Sequence, residues 1–376
     1  MKYFRLGDIA PIEQSYVEKA ESYWLLNLDK IESNTGKITE YNYVAQNQLK
    51  GAIISFDTSN VLYSKLRPYL NKVVVPKMPG YATSELLPLR PNKEIIDKTF
   101  LAYFLRSPHF VRYINEKSSG AKMPRAKTKD LLMTKVPCPE IDAQKKIVKK
   151  FSRLEKVINC KKEEIQLFDE LIKARFVEIF GDPKENPNNF MVSKLKDVSL
   201  KKLSYGSGAS STQYNGTVRY IRITDIKEDG SLNNEIKSPE TIEDKYYLND
   251  GDILFARTGA TVGKTYRYRK TDGKAIYAGY LIRMIPNIDK VLPDYVFYFT
   301  KTDYYKYFIK NTKRTVAQPN INSKEYGDLL ICVPPLELQR QFVNFVNQVD
   351  KSKFFIFRIQ ACYNIFIQID FNSQIF

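Results

Sequence analysis

Apolar positions along this chain follow two different periods. From Ile147, steps of four and three land on Phe151, Leu154, Ile158, Lys161, Ile165, Phe168, Ile172, Arg175 and Ile179. Eight of these ten positions are apolar, the pattern of a helix with a seam for a second helix. A second seam runs through Phe342, Phe345, Val349, Ser352, Ile356, Ile359, Tyr363 and Phe366. Each stretch opens just after a proline, at "PEIDAQKKIVKKF" and "PPLELQRQFVNFV", as a helix start favours. A helix of about 40 residues runs about 60 Å, longer than one small domain needs. The pattern predicts long helices over 139–180 and 334–376. They either pack on each other or each on its own domain, and mutual packing is the simpler arrangement. "FGDPKENPNNF" (180–190) stops the first and supplies a linker over 181–190. The remaining regions, 1–138 and 191–333, alternate short period-two runs with Gly, Pro and Asn turns, which predicts mixed strands and helices.

The two regions are copies of one another. "FLAYFLRSPHFVRYI" (100–114) aligns with "YVFYFTKTDYYKYFI" (295–309), Tyr103-Phe104 meeting Tyr298-Phe299 and Ile114 meeting Ile309 at an offset of 195. The same offset brings Pro124 to Pro319, Pro139 to Pro334 and Gln144-Lys145 to Gln339-Arg340. "VLYSKLRPYLNK" (61–72) meets "ILFARTGATVGK" (253–264) at 192, and "RLGDIA" (5–10) resembles "KLKDVS" (194–199). So many ordered coincidences indicate a duplicated unit.

Charge narrows the partners. With 59 Lys and Arg against 42 Asp and Glu, the formal charge is +17, a surplus that suits a polyanion. Residues 101–150 alone hold 12 basic and 4 acidic side chains. Cys138, Cys160, Cys332 and Cys362 lie far apart with no CxxC, which disfavours disulfides and zinc. No signal peptide and no run of 18 apolar residues is present, so a cytoplasmic, membrane-free setting is expected. The single histidine, His109, sits in an aromatic and basic stretch suited to packing or surface roles rather than to general base catalysis.

"GATVGKT" (259–265) mimics a phosphate-binding loop, but only three residues separate Gly259 from Gly263, where four are needed. Its flanks alternate Tyr266 and Tyr268 with Arg267 and Arg269, so the stretch reads as strand, turn, strand. "NPNNF" (186–190) resembles the Asn-Pro-Pro-aromatic motif of amino-methyltransferases but has Asn188 and Asn189 in place of its last two residues. Asp225, Asp250 and Asp252 stand in turn sequences where Asp is ordinary.

"YIRITDI" (220–226), "LNDGDILFARTGATVGKTYRY" (248–268) and "VAQPNINSKEYGDLLICVPPLELQRQFV" (316–343) resemble the specificity subunit of type I restriction-modification systems. The first copy, "SSGAKMPRAKTKDLLMTKVPCPEIDAQKKIV", keeps the prolines and the glutamine but not the Gln-Pro-Asn phrase. The resemblance covers nearly the whole chain. It implies an α+β (α/β) fold of two pseudo-symmetric target-recognition domains, 1–138 and 191–333, separated by an antiparallel coiled coil of the two long helices. The seam residues assigned to that coil are Ile147, Phe151, Leu154, Ile158, Ile165, Phe168, Ile172, Phe342, Phe345, Val349 and Ile356. It further implies a non-catalytic reader of double-stranded DNA with a split target. Two methyltransferase subunits, which bind S-adenosylmethionine, would dock on the coil. Two restriction subunits, using ATP and Mg, are optional further partners. No cofactor is expected in this chain.

Phosphate contacts call for Lys and Arg, and base edges for Arg, Asn or Gln. The first copy offers Lys65, Arg67, Tyr69, Lys72, Lys122, Arg125 and Lys127. The second offers Arg257, Thr258, Gly259, Lys264, Tyr266, Arg267, Lys313, Arg314, Gln318, Asn320 and Asn322. Loop 203–216 adds Ser and Gly backbone groups. On this expectation "GATVGKT" is a hairpin tip at DNA, with Lys264 on a phosphate. The alternatives are a DNA-recognition subunit of a methylation-only complex, a basic coiled-coil adaptor, and a nuclease or methyltransferase enzyme, the last disfavoured by the missing motifs.

Overall fold

The computed structural model describes residues 2–51, 53–120, 122–313, 320–353 and 356. Two compact units share them, one up to Lys162 and one over Glu163–Ile356. Unit 1 therefore includes the first part of the long helix together with the recognition region 1–138.

In unit 1 the strands are β1 (Lys2–Arg5), β2 (Ser22–Leu26), β3 (Tyr43–Ala45), β4 (Ile53–Phe56), β5 (Val61–Ser64), β6 (Val73–Val74), β7 (Gly80–Thr83), β8 (Leu86–Leu89) and β9 (Lys135–Cys138). The helices are α1 (Leu6–Ile9), α2 (Lys98–Arg106), α3 (Pro108–Glu116), α4 (Thr128–Leu132) and α5 (Ile141–Phe180), which continues into unit 2. One sheet runs β3-β2-β7-β4 and another β6-β5-β8, while β1 and β9 form a two-stranded ribbon. β5 is buried along its whole length, as its unbroken apolar run "VLY" requires. α2 starts where the Asp97 carboxylate accepts from the Thr99 and Phe100 backbone NH groups, and α3 starts at Ser107 followed by Pro108; both are strong start signals.

Unit 2 repeats this plan with β10 (Met191–Lys194), β11 (Ser204–Tyr205), β12 (Ser211–Gln213), β13 (Arg219–Ile221), β14 (Lys237–Pro239), β15 (Ile253–Ala256), β16 (Thr265–Arg267), β17 (Ala275–Tyr277), β18 (Leu281–Met284) and β19 (Leu330–Val333). Its helices are α6 (Pro293–Phe299), α7 (Asp303–Lys313), α8 (Ser323–Gly327) and α9 over residues 336–353. β10 pairs with β19 as β1 pairs with β9. The Leu6 NH donates to Thr134 O and the Leu195 NH to Leu329 O, both at 2.8 Å. β15 and β16 form an antiparallel pair joined by the turn that holds "GATVGK", as the alternating flanks predict.

The duplicated glutamines explain themselves here. Gln144 and Gln339 are both fully buried. Gln144 Nε2 donates to the carbonyls of Ile95 and Pro139 at 2.8 Å, and its Oε1 accepts from the Asp97 NH at 2.9 Å. Gln339 repeats the set with Lys290 O, Pro334 O and the Leu292 NH. Every partner is displaced by 195 residues. Asp97 and Leu292 cap α2 and α6, so one side chain fixes the start of each long helix against the start of a domain helix.

α5 is a single helix of 40 residues. Gly181 ends it with φ +77°, where a Cβ would lie 2.3 Å from the Pro187 ring; only glycine fits such a left-handed stop. Ile147 and Phe151 lie in the unit 1 core, the Phe151 ring 5.4 Å from that of Tyr103 on α2. Among the described residues both pack on their own domain. Leu154 flanks the same core, and Ile158 and Ile165 are half-buried. Within unit 2, Ile172, Phe342, Val349 and the flanking Phe168 and Phe345 share one core with Tyr295. There α5 and α9 pack on each other. Phe176 meets Phe342 at 5.4 Å between ring centroids, the Arg175 guanidinium lies 5.8 Å from the Phe345 ring, and Lys353 pairs with Asp169 at 2.6 Å. Partners descend along α5 as they ascend along α9, so the pair is antiparallel. Phe176 and Phe180 are the buried residues there, one step beyond the expected Arg175 and Ile179. A straight helix drifts against a 3.5-residue repeat in this way. Ile356 is buried. The seam positions Ile359, Tyr363 and Phe366 lie outside the described residues.

Candidate nucleic-acid interface

The turn after the central strand of each unit is tied to the segment that follows the second domain helix. In unit 2 the Ile321 NH donates to Arg257 O at 2.9 Å, and Thr258 bridges Asn320. In unit 1 the Ala126 NH donates to Lys65 O at 2.8 Å, and Leu66 bridges Arg125. Lys65 and Arg257 are thus equivalent, as are Arg125 and Asn320. The tie brings residues about 60 positions apart onto one patch in each unit, and the sequence grouped the same segments.

Unit 2 builds the clearer patch. The Arg257 guanidinium lies 4.7 Å from the centre of the Tyr205 ring, and its Nε donates to Asn320 Oδ1 at 3.2 Å. Tyr205 is held in turn by the Ser323 NH, which donates to its hydroxyl at 3.0 Å. Burial raises the phenol pKa, but the Ser323 contacts and the Arg257 charge outweigh it and leave it below the ordinary tyrosine value. Arg257 Nη1 and Nη2 have no hydrogen-bond partner among the described residues. A planar fork stacked on one side and bonded at its base is prepared to meet an acceptor pair. Asn320 is exposed and Tyr280, whose carbonyl accepts from the Arg257 NH, is 61% exposed. Tyr205 and Tyr280 were not singled out from sequence. Their signal is an aromatic beside Gly206 and Gly279, at the end of β11 and just before β18, which is too common to stand alone.

In unit 1, Lys65 is half-buried, Tyr69 is 49% exposed, and Lys122 and Lys127 are exposed. Arg67 takes φ +48° and its NH donates to Pro124 O at 2.7 Å. Arg125 makes a forked contact to Glu85, with Nη2 at 3.0 Å, so part of its charge is already answered.

Several expected contacts are committed inward. Tyr266 is buried and its hydroxyl donates to Asp272 at 2.7 Å; burial and that carboxylate push its pKa far up. Its strand position points it at the core. Arg267 is paired with Asp294 at 3.1 Å, both side chains largely shielded. Lys264 is paired with Glu228 at 2.9 Å beside a cleft rather than standing free at a tip. Lys72 donates to Leu28 O at 2.6 Å, and burial lowers its pKa. The Asn322 side chain accepts from the Lys324 and Glu325 NH groups as the cap of α8. Gly263 does make a close approach, but to Ile309, whose Cγ2 would lie 2.8 Å from an added Cβ; around Gly259 that space is open. Arg314, Gln318 and the side chain of Lys313 lie outside the described residues.

Fold and patch together define a duplicated α+β chain, each copy carrying one tied, cation-bearing turn. The chain belongs to the type I restriction modification DNA specificity domain family, whose model matches residues 1–167 and again 187–356. The specificity subunit of type I restriction enzyme EcoDI from Escherichia coli is 29% identical over 154 residues, 41% of this chain and 34% of that protein. That of EcoKI from Escherichia coli K12 is 25% identical over 283 residues, 69% of this chain and 60% of that protein. The chain thus spans between a third and three-fifths of these relatives. Among solved structures, one concerning complex assembly and conformational transition of the type I R-M system aligns over 98% of this chain and 95% of its own. It shows 18% identity and a TM-score of 0.59. The type I S subunit from M. genitalium aligns over 98% and 94%, at 13% identity and a TM-score of 0.54. These likenesses show a shared fold. Among the described residues no helix is long and apolar enough to cross a membrane.

Proposed function

We propose that this chain is the DNA-reading, non-catalytic subunit of a type I restriction-modification complex. The observation that carries this reading is the repeated tie, which presents Arg257, Asn320 and Tyr205 in unit 2 and Lys65, Arg125 and Tyr69 in unit 1. Each unit reads one half of a split duplex target. The two halves differ because the residues on the equivalent positions differ. Methyltransferase subunits, two per chain, supply S-adenosylmethionine chemistry, and restriction subunits, where present, supply ATP-dependent cleavage. The family assignment, the duplication and the charge of +17 support it.

The test is duplex binding by the purified chain, alone and with its methyltransferase, at two salt concentrations. Arg257→Ala should cost about 1–3 kcal/mol on the target and relax discrimination at one position. Lys122→Ala should weaken all sequences alike and reduce the salt slope by about one. Tyr266→Phe should leave binding as it is. Unchanged binding in both the Arg257 and the Lys122 variants would refute the interface. Methyl transfer by the chain alone would refute the non-catalytic role.

A further inference from the structure

Unit 2 holds a cleft of about 910 Å³ that the DNA-reading patch does not use. Its apolar wall includes Phe297, Tyr298 and Ile309, and its charged lining sets Lys173, Lys301 and Lys310 beside carboxylates that include Asp229 and Asp350. A volume of this order suits a small organic ligand.

The internal repeat shows what the cleft lacks. Lys301 corresponds to Arg106 of unit 1 at the offset of 195. Arg106 sits 5.2 Å from the Tyr103 ring, and its Nη1 reaches the Glu155 carboxylate at 3.5 Å and Thr35 O at 2.6 Å. Lys301 likewise lies over a ring, 4.6 Å from the centre of Phe297, yet the only hydrogen bond of its ammonium among the described residues is a long one, 3.4 Å to Glu228 O. The counterpart of Glu155 is Asp350, which lies 3.7 Å from Lys353, itself paired with Asp169. Glu228 is paired with Lys264. Among the described residues no ion pair of Lys301 replaces the Arg106–Glu155 contact; Asp229 and Glu228 act on it only from a distance. Burial brings the Lys301 ammonium down to about 8, with Asp229 and Glu228 opposing only in part. An ammonium shielded from water and lacking a close counter-ion is a binding site for one.

We propose that this cleft binds a phosphate group, with Lys301 as the cation that meets it in the place where unit 1 supplies the Glu155 carboxylate. A carboxylate ligand is less suited, because Lys173 and Lys310, which line the same cleft and form no ion pair among the described residues, add charge that a single carboxylate leaves unanswered. The aromatic and aliphatic wall accommodates the organic part of a phosphate ester such as a nucleotide. The inference stands independently of the DNA-reading patch.

The test is amine-reactive labelling of the full chain at pH 8, read at Lys301 by mass spectrometry, with exposed Lys129 as the internal reference. The probes are inorganic pyrophosphate, AMP and a non-target duplex. Labelling of Lys301 should fall several-fold with a phosphate probe while Lys129 is unchanged. Protection by pyrophosphate and AMP identifies a free phosphorylated molecule as the source; protection by duplex alone identifies a DNA phosphate. Both carry the proposal. In calorimetry with the protecting probe, Lys301→Met should lose about tenfold or more in affinity and Lys301→Arg should retain it. Equal labelling with and without every probe overturns the proposal, as does wild-type affinity in Lys301→Met.

Discussion

Replacing Gln144 or Gln339 by Met keeps the length and volume of the side chain and removes only the amide. Each glutamine makes three hydrogen bonds of 2.7–2.9 Å to backbone groups while fully buried. Met leaves one NH and two carbonyls of the interior without their partner. The net value of a hydrogen bond is about 1 kcal/mol, and a buried polar group left unsatisfied costs about 1–3 kcal/mol. Some relaxation and water entry reduce the sum, so each variant should lose about 3 kcal/mol. That is large against the usual stability of a domain, about 5–15 kcal/mol. Gln→Glu should be no better, because a carboxylate cannot donate to the two carbonyls.

Urea unfolding followed by circular dichroism gives the total loss. Since two units unfold, amide hydrogen exchange must say where it falls. Gln144→Met should loosen residues 95–101 and the first turns of α5 while unit 2 keeps its protection. Gln339→Met should loosen residues 290–296 and the start of α9 while unit 1 keeps its protection. A loss below about 1 kcal/mol in both variants, or exchange that spreads evenly over both units, would refute the view that these amides pin the long helices to their domains.

Two further outcomes follow from the geometry. Gly263→Ala should destabilise unit 2 by about 1–3 kcal/mol, since φ is +92° and Ile309 occupies the space of a Cβ, whereas Gly259→Ala, with open space, should cost about 1 kcal/mol; equal losses in urea midpoints would contradict this. Lys301 has a folded pKa of about 8, below its ordinary 10.5; the unfolded chain binds the extra proton between those values, so this group makes stability rise with pH across that window, and Lys301→Met should flatten the rise in urea titrations.

Much of the fold was legible because its signals are periodic or repeated. The seam of α5, the strand-turn-strand around Gly259 and Gly263, and the stop at Gly181 each follow from local patterns. The paired glutamines were visible as a coincidence, but their purpose was not, since it depends on backbone groups 49 residues away. A heptad counts which residues are apolar, not what they meet: Ile147 and Phe151 join the unit 1 core, while Ile172 and Phe342 share the core between α5 and α9.

The candidate site was legible as segments and not as atoms. Tyr266 and Arg267 alternate on β16, and alternation alone cannot say that Asp272 and Asp294 stand ready to hold both. Lys264 looked free because Glu228 is 36 residues away in sequence. Arg257 gained its importance only from Tyr205 and Asn320, which arrive from β11 before it and from the segment preceding α8 after it.

Duplication turns these particulars into a design argument. The tie between turn and following segment uses backbone groups, so it survives any change of side chain. Lys65 and Arg257 can differ, as can Arg125 and Asn320, without disturbing the frame that holds them. The glutamine clamp is likewise backbone-directed at every bond. A unit built this way can exchange its contact residues while keeping its helix fixed at the same angle. The two copies accordingly differ where a side chain has an open end, as Arg257 does beside Lys65, and agree where it is closed on all sides, as at Gln144 and Gln339. Lys301 and Arg106 are the informative exception, because there the frame is the same and, among the described residues, one copy alone has the ion pair.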